Sequence, residues 1–377
     1  VFSVASVSLF GIAPLGGVVC CREQCREFDD DPLVGSDCHE DLRRTTALMT
    51  AIIICVVVFA IAFEFINGFH DTANAIATTV YTRALTVGKA IALAASMNFV
   101  GALVSENVAK TITSGLVSVN IEEYVVLAAL IGAIVWNLFT WWRAIPSSSS
   151  HALIGSLIGA TVVYTMGVDG IKWDGVLTKV VIPLFTSPVI GFFIGFGIMK
   201  LIYKAFASSQ RGQSNRFFLR MQVFSAALVA FSHGTNDAQK TMGIITLSLI
   251  TGGLLPVEAG VPLWVKVVCA VAIAIGTSVG GWKIMKTMGG GVTKLEPASG
   301  FAAQTSSAIV IEAMSFFGAP ISTTQVITTS VMGAGSARRL RSVKWRMARD
   351  IAFTWVITLP TTVALGGLSV FIIQLFM

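Results

Sequence analysis

Charged side chains are scarce in this sequence: 12% of 377 residues, against 54% hydrophobic and a mean hydropathy of +0.79. A soluble domain usually carries about a quarter charged residues, and a water-soluble fold of this length cannot hide so much apolar surface. The apolar runs also lack the period-two alternation of a transmembrane barrel, which leaves helices. Paired Cys-x-x-Cys hooks are missing, so Cys20, Cys21 and Cys25 do not make a zinc module. No nucleophile and base stand in a catalytic spacing, and one of only four histidines, His39, lies in an atypical N-terminal stretch. An enzyme, a cofactor and a resident metal are therefore not expected.

What is present is length of apolar run. Glu122 to Trp142, Ile182 to Tyr203 and Phe353 to Met377 each meet the roughly 17 to 25 residues that cross a bilayer as a helix. The fold class is an all-α polytopic membrane protein. Residues 1–48 differ: they hold four of six cysteines and eight of twenty acidic residues, and Val4 to Val19 has no basic region before it to make a signal peptide. They read as a doubtful extension, disordered or a mis-annotated start, with Val1 a literal GTG codon and translation beginning at Met49. The remaining 329 residues carry 22 basic against 12 acidic side chains, concentrated in Lys200 to Arg220, Lys283 to Lys294 and Arg338 to Arg349. The positive-inside bias accounts for these loops, so they are placed in the cytoplasm of a multi-pass inner (plasma) membrane protein, with no nucleic-acid partner.

Two motifs recur in order. Asn67-Gly68-Phe69-His70-Asp71-Thr72-Ala73-Asn74-Ala75 interrupts one apolar run and Ser232-His233-Gly234-Thr235-Asn236-Asp237 another, 166 residues on; Pro146-Ser147-Ser148-Ser149-Ser150-His151 has its counterpart in Pro320-Ile321-Ser322-Thr323-Thr324-Gln325, 174 residues on. Recurrence of both at nearly one offset indicates an internal repeat, divided as residues 49–205, a basic linker 206–220, and residues 221–377. The reading is an inverted repeat with discontinuous helices, broken at polar insertions that converge on one site; for the segment around Pro320 a re-entrant hairpin with a polar tip and two full crossings both fit.

Ionised aspartate in a bilayer is costly unless paired or coordinating, which makes Asp71 and Asp237 coupling-ion candidates; a helix cap is the bland alternative for each. Ser148, Ser149, Ser150, Thr323 and Thr324 precede apolar helical segments whose N-termini suit an oxyanion, with ordinary N-capping the competing role and Ser147 purely structural. His151 and Gln325 occupy matching places beside the tips, Lys240 follows Asn236 by one turn and can neutralise Asp237 or meet the anion, and Glu106 with Lys110 reads as a satisfied pair. Glu64 and Glu312 are further intramembrane carboxylates. An anion beside two acids requires a neutralising cation or proton, and import of a divalent anion runs against an inside-negative potential. Both point to symport.

These motifs in combination resemble the inorganic phosphate transporter (PiT) family over Met49 to Met377, in its bacterial low-affinity permease type. The resemblance implies about a dozen membrane segments with two re-entrant hairpins, a homodimer, and cation-driven phosphate uptake. It places the conserved acids at Asp71 and Asp237, the first-motif asparagine at Asn74, and hairpin hydroxyls at Ser148, Ser149, Ser322 and Thr323; the phosphate set expected here adds Ser150, Thr324 and Asn236, and the coupling set adds His70, His151 and Gln325. His70 and Lys240 depart from the asparagines of sodium-coupled members, and each removes an oxygen ligand. The variant resembles the proton-coupled branch, in which phosphate often travels as a neutral complex with a divalent metal. Na+ coupling, sulfate uptake and a non-transporting anion receptor are the alternatives.

Overall fold

A computed structural model describes residues 32–117, 121–279, 293 and 295–376. It divides into two units, residues 1–55 and 56–377. In the first, the described residues are the opening turns of helix α1 (Pro32–Tyr81). The cysteine cluster of the N-terminal segment and most of Lys283 to Lys294 lie outside the described residues.

The second unit continues α1 and adds α2 (Val87–Ala102), α3 (Asn107–Gly115), α4 (Glu123–Trp142), α5 (Ser149–Thr165), α6 (Trp173–Ala205), α7 (Arg211–Thr251), α8 (Leu263–Val279), α9 (Pro297–Phe316), α10 (Thr323–Ser336) and α11 (Trp345–Phe376). All regular structure among the described residues is helical apart from isolated bridges. Among the described residues, four helices are long and apolar enough to span a membrane, or five if α2 and α3, bent by 60°, count as one broken span. Glu106 at that bend pairs with Lys266 of α8 rather than with Lys110. Gln239 Oε1 of α7 accepts from Val108 N at 2.8 Å and so caps the first turn of α3. Of the expected linker 206–220, residues 211–220 are the first turns of α7.

The polarity of this unit is reversed relative to a soluble protein. Phe139, Trp142, Phe185, Phe193, Phe353 and Val356 are exposed, while Glu64, Asp71, Asp237 and Lys240 are buried to within 2%. Lipid offers no hydrophobic drive between helices, so small residues set their approach. They do so in matched pairs. A Cβ at Gly68 of α1 would lie 2.5 Å from Ile273 O of α8, and one at Gly276 would meet Phe65 O at 2.1 Å; Gly234 of α7 meets Asn98 O of α2 at 2.3 Å, and Gly101 meets Phe231 O at 2.2 Å. Each half thus packs its second helix on the first helix of the other half.

The hairpins repeat this exchange. Helix α5 packs on α11, and α10 packs on α6; a Cβ at Gly159 would meet Val363 O, and one at Gly333 would meet Phe192 O. At about 1.5 Å per residue, the 17 residues of α5 and 14 of α10 fall short of a roughly 30 Å hydrocarbon core. Both turns are built alike. Ala144 (φ +56°) and Gly318 (φ +69°) end α4 and α9 in the left-handed region, with paired bonds Ala144 N to Trp141 O and Ile145 N to Thr140 O, and Gly318 N to Ser315 O and Ala319 N to Met314 O. Pro146 and Pro320 follow, and Ser148 and Ser322 then cap the return helices through His151 N (3.2 Å) and Gln325 N (3.3 Å).

One expectation is corrected. The polar insertions do not break their helices: α1 is helical throughout Asn67–Ala75, and α7 throughout Ser232–Asp237. The backbone stays helical there, where each N–H and C=O can be met within the helix, and polar side chains find partners on other helices, so neither helix needs to unwind. The interruptions are confined to the hairpin tips.

Candidate functional site

Unbroken helix through both motifs removes the capping role for Asp71 and Asp237, which sit far from any helix start. Each is instead a mid-helix acid facing a hairpin tip. Asp71 Oδ2 accepts from Ser149 Oγ at 2.5 Å, and Oδ1 accepts from Thr324 Oγ1 at 3.1 Å while lying 2.6 Å from His70 Nδ1. The first acid is therefore held by the tips of both halves. Asn74, one turn later, donates to Thr324 Oγ1 at 2.9 Å, and Ser149 also stands 3.0 Å from Asn67 Oδ1.

The second acid has a related but different surround. Thr323 Oγ1 donates to Asp237 Oδ2 at 2.8 Å, the counterpart of Ser149 on Asp71. Lys240 pairs with Asp237 Oδ1 and donates to Ser150 Oγ at 2.5 Å and Ile321 O at 2.8 Å. Ser150 also donates to Ile321 O at 2.9 Å, so the first tip reaches into the second. His233 Nε2 lies 2.9 Å from Asp237 Oδ2 without the alignment of a hydrogen bond, and its Nδ1 meets Asn98 Oδ1 at 3.0 Å.

The fourteen residues expected at the site are all buried, at 3% exposure or less, but they divide by role. Asp71, His70, Asn74, Ser149 and Thr324 form one connected group, and Asp237, Lys240, Thr323 and Ser150 the other. Ser148 and Ser322 spend their side-chain oxygens on the helix caps. Asn236 turns toward Ser315 Oγ (2.8 Å) and Ala319 O (3.2 Å), bracing the second hairpin rather than reaching the acids. Ser147 donates to Thr140 Oγ1 at 2.8 Å, which in turn meets His70 Nε2 at 3.3 Å, so it supports the site from behind. Asn74 Oδ1, Asn236 Oδ1, His151 Nδ1 and Gln325 Oε1 are buried with no hydrogen-bond partner among the described residues. Each such atom costs about 1–3 kcal/mol if left unmet. Three of them, on Asn74, His151 and Gln325, belong to the first acid motif and the two hairpin tips.

Three participants escaped the sequence reading or were left without a role. Glu64, two turns before Asp71, accepts from Thr241 of α7 and leaves its other oxygen unpaired. His233 precedes Asp237 by one turn, a spacing that could have flagged it. Asn98 of α2 donates to Thr72 (3.1 Å) and Thr277 (3.0 Å), tying three helices together behind the second acid. A lone asparagine in an apolar helix was its only signal.

Two hairpins with short return helices, tips meeting buried acids on long helices, have the arrangement of a membrane transport protein with discontinuous helices. The comparisons give the particular family. The model of the phosphate transporter family matches residues 67–213 and 205–366, and the chain belongs to that family. It is 46% identical over 331 residues to the "Probable low-affinity inorganic phosphate transporter" of Bacillus subtilis, covering 87% of this chain and 99% of that one. It is 42% identical over 322 residues to the protein of the same name from Rhizobium meliloti, covering 85% and 96%. A solved structure, "The sodium-dependent phosphate transporter", superposes with a TM-score of 0.77 at 26% identity, covering 87% of this chain and all of that one.

Proposed function

We propose that this chain is a secondary active transporter that imports inorganic phosphate by proton symport, and that its two halves are related by inversion across the bilayer of the inner (plasma) membrane. The observation that carries the reading is the double use of the tip hydroxyls. Ser149 and Thr324 each have one proton and each has Asp71 as an acceptor, at 2.5 and 3.1 Å, with Asn67 Oδ1 a longer alternative for Ser149 at 3.0 Å. While Asp71 is a bare carboxylate those donors are turned away from an anion. A proton or cation on Asp71 removes its demand, and the hydroxyls, with the free N–H groups at the starts of α5 and α10, can turn to an oxyanion. Cation and phosphate then assist each other, which is the thermodynamic content of symport.

Ser148, Ser149, Ser150, Ser322, Thr323, Thr324, Asn74 and Asn236 are the phosphate set in this reading, the capping serines acting through the helix ends they fix. Asp71, Asp237, His70, His151 and Gln325 are the coupling set. Phosphate near neutral pH keeps a donor hydroxyl that an acid can accept, and sulfate does not, so the carboxylates favour phosphate over sulfate. Import costs about 2.3 kcal/mol per negative charge at 100 mV inside-negative, a cost that a co-transported proton or a neutral complex of phosphate with a divalent metal removes. A homodimer is the assembly this reading adopts. Arg211, Glu296 and Arg338 line one cavity of about 510 Å³, which puts two of the basic segments on a common face, in keeping with a cytoplasmic side.

Sodium coupling is the second reading, favoured by the solved relative, whose title names sodium dependence. Radiolabelled phosphate uptake into proteoliposomes under separately imposed proton and sodium gradients decides between them. A proton gradient alone is expected to drive accumulation that a protonophore abolishes. Sodium-driven uptake at fixed pH, insensitive to a protonophore, overturns the proton assignment.

A further inference from the structure

The offset that maps Asp71 onto Asp237 maps Asn74 onto Lys240. The tip offset maps Ser149 onto Thr323 and Ser150 onto Thr324. Contacts follow these correspondences: Ser149 on Asp71 matches Thr323 on Asp237, and Asn74 on Thr324 matches Lys240 on Ser150. The two groups share these contacts and differ at the residue one turn after the acid. Where the first half has an amide, the second has an ammonium.

We propose that Lys240 is a tethered cation, occupying permanently the second of two matched cation positions, so that this transporter moves one coupling cation fewer than its two acids would allow. The Lys240 ammonium is surrounded by oxygens as a bound ion would be: Asp237 Oδ1, Ser150 Oγ and Ile321 O. It is 1% exposed and ranks among the largest fully buried side chains, so it is enclosed on all sides. Glu64, His151 and His233 are the other titratable groups within its electrostatic reach or that of Asp237. The first half presents the matching oxygens on Asp71 and Thr324 and lacks the ammonium. There Asn74 Oδ1 is buried with no partner among the described residues. A buried acceptor without a partner, at the position where the other half places a positive charge, is the independent sign that the first position takes an exchangeable ion.

The inference rests on cation coupling at Asp71, the reading proposed above, and the two fail differently. In proteoliposomes clamped at an inside-negative potential, the limiting phosphate accumulation of wild type, K240N and K240R reports the charge moved per phosphate. K240N opens the second position, and its accumulation limit should rise about 50-fold at 100 mV for one added cation, whereas K240R should match wild type. Failure of cation coupling would appear in wild type itself, as uptake no ion gradient drives. Failure of the present inference would appear only as K240N moving the wild-type charge. A K240N protein altered only in its phosphate KM also overturns the proposal, making Lys240 a phosphate ligand. Should K240N not yield folded protein, K240Q supplies the test: the same rise in the accumulation limit is expected, and the wild-type charge per phosphate contradicts the account.

Discussion

The two acid groups at the hairpin tips differ by little in sequence and by a whole charge in electrostatics. Around Asp71, hydroxyls, an imidazole and an amide leave the carboxylate's charge open to a mobile partner. Around Asp237, Lys240 closes the account internally. In the account proposed here one position exchanges its cation and the other is fixed, while the helices and turns that deliver them stay matched. The lesson is that symmetry of backbone need not mean symmetry of function.

The sharpest way to test that contrast is to neutralise each acid in turn and measure thermal unfolding in detergent. D237N leaves the Lys240 ammonium buried without its counter-ion and should cost about 3–5 kcal/mol. D71N leaves no buried lysine without its counter-ion and should cost less. Equal losses would mean that the two positions are not electrostatically different. Adding K240M to D237N should recover much of the deficit, since the pair is then removed together.

Smaller effects test the sameness of the scaffold. G276A and G101A each drive a Cβ into the backbone of a helix from the other half, at 2.1 and 2.2 Å; each should cost about 1–3 kcal/mol. G88A, with nothing within 4 Å of the added carbon, serves as the neutral control. A large cost for only one of the pair would break the claim that the halves cross alike. The smallest expected effects are at the caps: S148A and S322A should each lose about 1 kcal/mol, and a clear inequality between them would show that one tip is held by something other than its serine.

Much of this was legible in the sequence because the informative residues are few and out of place. Acids and serine clusters in apolar runs stand out, and two offsets tie them together. The family resemblance rests on the same residues. What the sequence could not give was partnership across helices. Asn67–Ala75 reads as a break because its polar side chains have no visible partner locally; Ser149 and Thr324, which satisfy Asp71, come from residues far along the chain. Gln239 capping α3, Lys266 taking Glu106 from Lys110, and Asn98 bracing His233 are of the same kind. Asn74 and Lys240 were alignable by counting, yet the meaning of the exchange depended on seeing both reach the opposite tip. The roles of the capping serines were equally local, and there the competing N-cap reading accounts for their side-chain bonds.

The most direct measurement of coupling at Asp71 compares two modes of transport by D71N in proteoliposomes: phosphate exchange between equal pools, and net accumulation against a gradient. A permanently neutral side chain imitates the cation-loaded acid, so exchange is expected to persist while gradient-driven accumulation is lost. Accumulation at the wild-type level, or loss of both modes in a folded D71N protein, would contradict the account.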